Sequence, residues 1–220
     1  MAKQAAPRYK PGSRSRKKKQ EPRFQPMRWL RRWMLRVVLL SAGVILFGVG
    51  VYAVVNPQTG IYMKQEQLRL GTIDRQWVDF DRIAPVMARS VVAAEDANFC
   101  AHWGFDMDAI RKAIDAGSNR GASTLSQQVV KNVYLWHGRS WIRKALEALI
   151  TPVLETVWTK RRILEVYLNM AEFDEGVFGV EAAAHHYFGT TPDKLSDRQA
   201  ALLAAVLPSP KQRSASRPTE

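Results

Sequence analysis

Residues Ser90–Gly104 read SVVAAEDANFCAHWG, and the rest of the chain is organised around them. Ile83, Val86, Met87, Val91 and Ala94 lead in at helical spacing and predict one buried helix face. Asp79 or Asp81 is the expected cap, and Pro85 falls where a first turn tolerates it. The apolar stripe then stops at two adjacent carboxylates, Glu95 and Asp96, with Phe99, His102 and Gly104 following in one short loop. A carboxylate that ends a packed helix beside aromatic rings is partly withdrawn from water, which suits a proton acceptor. Taken alone, the pair fits a solvated helix end equally well.

The charge is unevenly placed. The chain of 220 residues carries a formal net charge of +13, but residues 1–36 hold 13 Lys/Arg against one acid, Glu21. The rest is nearly neutral, so the basic balance describes a tail and not a nucleic-acid face. No nucleic-acid partner is expected. The tail, with its run Arg14–Lys19, has too little apolar surface to fold alone and is expected to be disordered.

Directly after it, residues 37–55 read VVLLSAGVILFGVGVYAVV, and no charge occurs from Val37 to Met63. Such a helix spans about the 30 Å of a hydrocarbon core. Trp29 and Trp33 on one side, and Tyr52 and Tyr62 on the other, suit the two interfaces. No A-x-A cleavage site follows, which favours an anchor over a cleaved signal peptide. The positive-inside rule then puts the tail in the cytoplasm and residues 56–220 outside it. A single cysteine, Cys100, fits an exported domain held by its core alone, and it is read as a packing residue.

Residues 56–78 read as a linker leading into the domain, and from there the pattern is helical almost throughout. Asp108 is the expected cap of a short helix ending near Gly117. Thr124 with Gln127, and Ser196 with Gln199, have capping-box spacing. Residues 141–150 form a helix that Pro152 should break or kink, and Thr159 restarts the pattern. Residues 179–188 make a further short helix. The run AALLAAVL before Pro208 is too short to cross a bilayer and reads as core. With no alternating strands and no repeat, the fold class is all-α. Residues 79–210 are the expected domain and 211–220 a polar tail that frays.

The helix start at Gly121-Ala-Ser-Thr124 offers free amides and hydroxyls, a natural anion site or simply a capped helix. Lys131, Arg139, Arg143 and Lys144 follow within a short span. Cations this dense suit a diphosphate, or else a solvated or membrane-surface face. Glu147 lies four residues after Arg143, where a surface ion pair is the simplest reading. The four histidines, His102, His137, His185 and His186, have no zinc spacing, so a metal site is undefined.

Taken together, these stretches form an ordered set. Glu95–Gly104 resembles the E-D-x-x-F-x-x-H-x-G motif of the peptidoglycan glycosyltransferases. Gly121–Gln128 is similar to their G-x-S-T-x-x-Q-Q and Arg143–Glu147 to their R-K-x-x-E. Lys160–Asn169 is similar to K-x-x-I-L-E-x-Y-L-N, and Arg198–Pro208 looks like the fifth motif. With no K-T-G of a penicillin-binding domain, the resemblance is to the monofunctional biosynthetic transglycosylases of Gram-negative bacteria. The connection Asp115–Arg120 is shorter than the family's, and the helix that relatives carry after the fifth motif is not recognisable in the polar tail.

The resemblance implies a lysozyme-like glycosyltransferase domain behind one transmembrane helix, in the inner membrane with the catalytic domain periplasmic. Its substrates would be lipid II and the lipid-linked growing glycan chain, joined by β-1,4 bonds with inversion and release of the lipid diphosphate. A sugar hydroxyl needs a base, and Glu95 is the expected one. A diphosphate leaving group needs neutralisation rather than a proton, so Lys131 and Arg139, with Arg143 behind, would line the donor side. Glu147, the second catalytic carboxylate, would orient those cations or a metal. Ser123, Thr124, Gln127 and Gln128 would position phosphate and sugar, and Asp96, Phe99 and His102 complete the substrate-binding set. No cofactor is obligatory, although Mg2+ or Mn2+ could bridge the diphosphate. Other cell-wall synthesis or division proteins are possible partners that the sequence does not name.

Two other readings compete: a lytic enzyme of the same fold, which would not need the cation cluster, and an anchored scaffold with a decayed site, which would not need Glu95 and Glu147. The charge distribution also predicts topology. A reporter fused after Glu220 should be active only outside the cytoplasm, and activity confined to the cytoplasm would reverse the assignment.

Overall fold

The computed structural model describes residues 26–117, 123–138 and 140–217. Lys17–Lys19, Gly121 and Arg139 lie outside the described residues. Two compact units divide the chain after Ala42. The first contributes the start of helix α1 (Pro26–Val54), in which Arg28, Arg31, Arg32 and Arg36 precede an apolar run. Among the described residues α1 is the one helix long and apolar enough to cross a membrane.

The second unit is helical. In order it holds the end of α1, then α2 (Ile61–Leu70), α3 (Pro85–Glu95), α4 (Met107–Asp115), α5 (Leu125–Tyr134), α6 (Trp141–Val157), α7 (Lys160–Met170), α8 (Val180–Phe188) and α9 (Asp197–Val206). A small sheet of β1 (Asp74–Arg75), β2 (Glu172–Asp174) and β3 (Val177–Phe178) adds to the all-α expectation. β3 is central, parallel to β1 and antiparallel to β2 across a bulge. Strands of two or three residues carry no readable alternation, and the turn at Gly176 works because glycine accepts its φ of 76°.

The core is continuous. α3 packs on α9, and α5 lies against both α6 and α7. Met87, Val91, Leu125, Val129, Leu154, Ile163, Leu168, Phe173 and Leu203 are fully buried there. Both capping boxes form as the spacing requires, at Thr124/Gln127 and Ser196/Gln199, and Thr159 caps α7.

Several expectations are corrected. Ala84, not Asp79 or Asp81, precedes α3 and offers no side-chain cap, while Pro85 fills the first helical position with φ already set for the helix. Asp106, not Asp108, caps α4 by accepting from Ala109 N at 2.8 Å. Pro152 lies inside an unbroken α6, where the buried Ile150 and Leu154 hold both sides of it against the core. Residues 56–78 are no mere linker: α2 buries Tyr62 and Met63, so Tyr62 is not at an interface. Cys100 is exposed and does not pack, since the loop turns Phe99 inward instead. The tail is folded through Arg217, with Ala215 buried and the Arg213 guanidinium donating to Ala205 O at 2.9 Å.

The end of α1 is tied into this unit. Its last carbonyls have no helical partner and must be satisfied from outside. Arg162 donates to Tyr52 O at 3.2 Å and to Val55 O at 2.9 Å, while Trp158 Nε1 donates to Val49 O at 2.8 Å. Asn56 Oδ1 and Glu165 Oε2 hold the guanidinium in place. Hydrogen bonds from a charged donor contribute about 1.5–3 kcal/mol. Arg162→Ala should therefore raise amide exchange across Tyr52–Asn56 at least tenfold while α5 stays protected. Unchanged exchange there would mean that α1 keeps this turn in place without Arg162.

Candidate active site

Asp96 is the buried junction of the site. Its Oδ2 accepts from Leu125 N, the first residue of α5, at 2.9 Å, and its Oδ1 accepts from His102 Nε2 at 2.8 Å. Gly104 N donates to His102 Nδ1 at 3.2 Å, so Nε2 carries the ring proton that Asp96 receives. Thr124 Oγ1 closes the loop by donating to Gly104 O at 2.7 Å. Gly104 itself has φ of 83°, and a Cβ there would sit 2.6 Å from Thr151 Cγ2. From below, Lys160 Nζ donates to His102 O and Glu155 Oε1 at 2.8 Å each and lies over the Phe99 ring.

These contacts place the expected substrate-binding residues in the fold. Asp96, Phe99, Thr124 and Gln127 are buried, with Asp96, Thr124 and Gln127 hydrogen-bonded within the site and Phe99 lying beneath Lys160, an arrangement that supports the loop. His102 belongs to the same support through Asp96. The short spacing of the motif reflects a loop that must be locked.

Glu95, the last residue of α3, is held one-sidedly. Gln128 Nε2 donates to its Oε2 at 2.8 Å, and Tyr167 OH donates to Gln128 Oε1 at 3.2 Å. Burial and the Glu95 charge push the Tyr167 phenol well above its ordinary value, so it remains a donor and fixes which way the Gln128 amide points. Glu95 Oε1 is buried and has no hydrogen-bond partner among the described residues. One oxygen is thus oriented and the other is free to take a proton.

Beside it, cations gather. Glu147 is 3% exposed, and both its oxygens are engaged, one by Arg143 and the other by Lys144 Nζ at 2.9 Å. Lys144 also reaches Ser123 Oγ at 3.4 Å. Glu147 therefore holds two cations in place, a stronger role than a surface pair. The Lys131 side chain makes no hydrogen bond among the described residues. Burial first and Arg143 second hold its ammonium below the ordinary lysine value, with Glu95 opposing. Lys144 is lowered likewise by burial, Arg143 and Lys131. Such mutual repulsion is relieved by an anionic ligand. A cleft of about 530 Å³, lined by Gln128, Lys131, Asn132, His137, Tyr167 and Tyr62, adjoins these groups.

The donor set does not fit a metal held by protein ligands: Glu147 has no free oxygen and Glu95 offers only one. Among the described residues no group of three His, Cys, Asp or Glu side chains converges. Tyr167, Lys160 and Glu155 are not singled out as site residues by the sequence, whereas Lys144 stands among the expected cations. Tyr167 sits in the apolar stripe of α7 and looks like core, while Lys160 and Glu155 meet the first motif only across the fold.

The Lys131 environment has a pH consequence. Because burial lowers its proton affinity, its charge is lost at a lower pH than that of a free lysine, about 10.4. Turnover that needs this charge should fall along an alkaline limb below that value, and Lys131→Arg, charged throughout, should move the limb upward. A limb that stays in place would assign it to another group.

A search against known proteins agrees with this architecture. The family described as "Transglycosylase" matches residues 63–220. A "Biosynthetic peptidoglycan transglycosylase" of Jannaschia sp. (strain CCS1) is 62% identical over 191 residues, covering 87% of this chain and 80% of the relative. Proteins of the same description from Pectobacterium atrosepticum and Salmonella typhi are 50% and 46% identical, covering 83% and 90% of this chain and 79% and 86% of the relatives. With a family match over most of its length and relatives this similar, the chain belongs to the transglycosylase family.

Proposed function

We propose that this protein is a peptidoglycan glycosyltransferase that polymerises lipid II into β-1,4-linked glycan strands for the cell wall. The observation that carries the reading is one oriented carboxylate beside desolvated cations, with the second carboxylate already occupied. Glu95 presents a single free oxygen, Lys131 feels its charge, and Glu147 is locked between Arg143 and Lys144. Glycan cleavage uses two carboxylates, one of them a proton donor to the leaving sugar. Transfer from a lipid diphosphate needs one base, plus positive charge for the leaving group.

In this scheme Glu95 Oε1 accepts the proton of the acceptor's 4-hydroxyl as its oxygen bonds to the anomeric carbon of the donor. The bond from that carbon to the diphosphate oxygen breaks, and its electron pair leaves with the diphosphate. Attack from the opposite face inverts the anomeric centre. Lys131 and Arg143 neutralise the developing charge, with Arg139 a further donor-side cation, and Ser123, Lys144 and Gln128 position phosphate and sugar. A divalent ion, if used, would be brought by the diphosphate.

The anchor supports a place in the inner membrane, with the basic tail cytoplasmic and the catalytic unit periplasmic. Exposed Trp141, Ile142, Met107 and Ile114 suit contact with the lipid surface from which the substrates come.

Glu95→Gln preserves shape and the Gln128 contact distance but cannot accept a proton, so kcat should fall by about 10²–10⁴ with folding intact. Wild type given lipid II should make polymer and release lipid diphosphate, and given finished strands should release no fragments. Fragments from finished strands without polymer from lipid II would install the lytic reading.

A further inference from the structure

The cleft beyond Lys131 has two facing walls. One is α2, through Tyr62, Gln65 and Glu66, and the other is the segment Leu207–Gln212 that follows α9. The sequence offers no reason to link them, since Lys211 lies in a polar tail 145 residues from Glu66. Yet Lys211 Nζ meets Glu66 Oε2 at 2.9 Å and lies 5.7 Å from the centre of the Tyr62 ring. Glu66 is in turn braced by Arg69, whose Nε and Nη2 donate to the same oxygen at 2.9 and 2.5 Å.

The segment is anchored on both sides of this contact. Before it, Ser209 N donates to Val206 O, and Ser209 O accepts from the amides of Gln212 and Arg213. After it, the Arg213 guanidinium returns to Ala205 O and Ala215 is buried. Lys211 is thus carried on a fixed strap that faces α2 across the cleft. The pair opens from one end: Lys211 keeps 37% of its side-chain exposure and can swing into water, while Glu66 keeps 10% and stays held by Arg69.

We propose that Lys211 and Glu66 form a latch across the far end of the cleft that retains the growing glycan between additions, and so sets strand length. This rests on the polymerase reading above. A polymer whose reacting end lies at Glu95 and Lys131 continues into the space between α2 and the strap. A closed pair that can open at Lys211 lets the strand slide lengthwise while slowing its escape sideways. Neither residue touches the reacting atoms, so both are positioning residues. The latch acts on dissociation of the strand and leaves bond formation alone.

The test uses the full-length protein in detergent or vesicles with labelled lipid II. Strand length is read at low conversion, together with the rate of the first joining step and KM. Lys211→Met and Glu66→Gln should each shorten the mean strand at least threefold, with the first joining step within twofold of wild type. Lys211→Arg should restore length. Strands of wild-type length in both variants overturn the latch. So does a raised KM with a slower first step in Lys211→Met that Glu66→Gln does not share, since Lys211 would then be a direct substrate ligand. A wild type that makes no polymer at all instead sinks the parent reading, and the latch falls with it.

Discussion

A buried carboxylate must be fully paired, and Asp96 meets that demand by joining three pieces of chain. One oxygen takes the first amide of α5 and the other takes His102, so the end of α3, the loop behind it and the start of α5 are locked as a unit. That lock is what brings Gln128, one turn into α5, within hydrogen-bond distance of Glu95. Removing the Asp96 carboxylate would leave an orphan amide and an unrestrained imidazole in the interior, with Glu95 then held only through Gln128 and Tyr167.

Charge balance is the second constraint. Lys131, Arg143 and Lys144, three positive charges, are drawn together in partly dry surroundings against the two carboxylates Glu147 and Glu95. The site is therefore underneutralised as it stands, which favours a polyanionic ligand and disfavours a neutral glycan as the sole occupant. On the proposed reading the same arrangement makes a second acid unnecessary, since fixed positive charge stabilises a departing diphosphate.

The unit also depends on contacts distant in sequence from its motifs. Lys160, at the start of α7, supports the first-motif loop through a backbone carbonyl and the face of Phe99. Arg162, two residues on, satisfies the open carbonyls at the end of α1. One turn of helix thus braces both the catalytic loop and the end of the apolar helix, and Glu155 and Ser126 complete the brace within the core.

The helical class, the membrane-compatible run, both capping boxes and the position of Glu95 are determined by local sequence, since each rests on spacing within one or two turns. The basic tail and neutral remainder are likewise a matter of counting along the chain. Which polar residues reach solvent was decided only by the tertiary structure. Asp96 and Phe99 read as ligands from the first motif, Thr124 and Gln127 from the second, and the fold turns all four inward. Tyr167 and Lys160 read as core stripe and motif filler, and the fold brings them to the site from 39 and 58 residues away, measured to Gln128 and His102. Periodicity reports which side of a helix is apolar. It carries no information about which partner that side meets, so the pairing of buried polar groups, and with it the shape of the site, exists only once the helices pack.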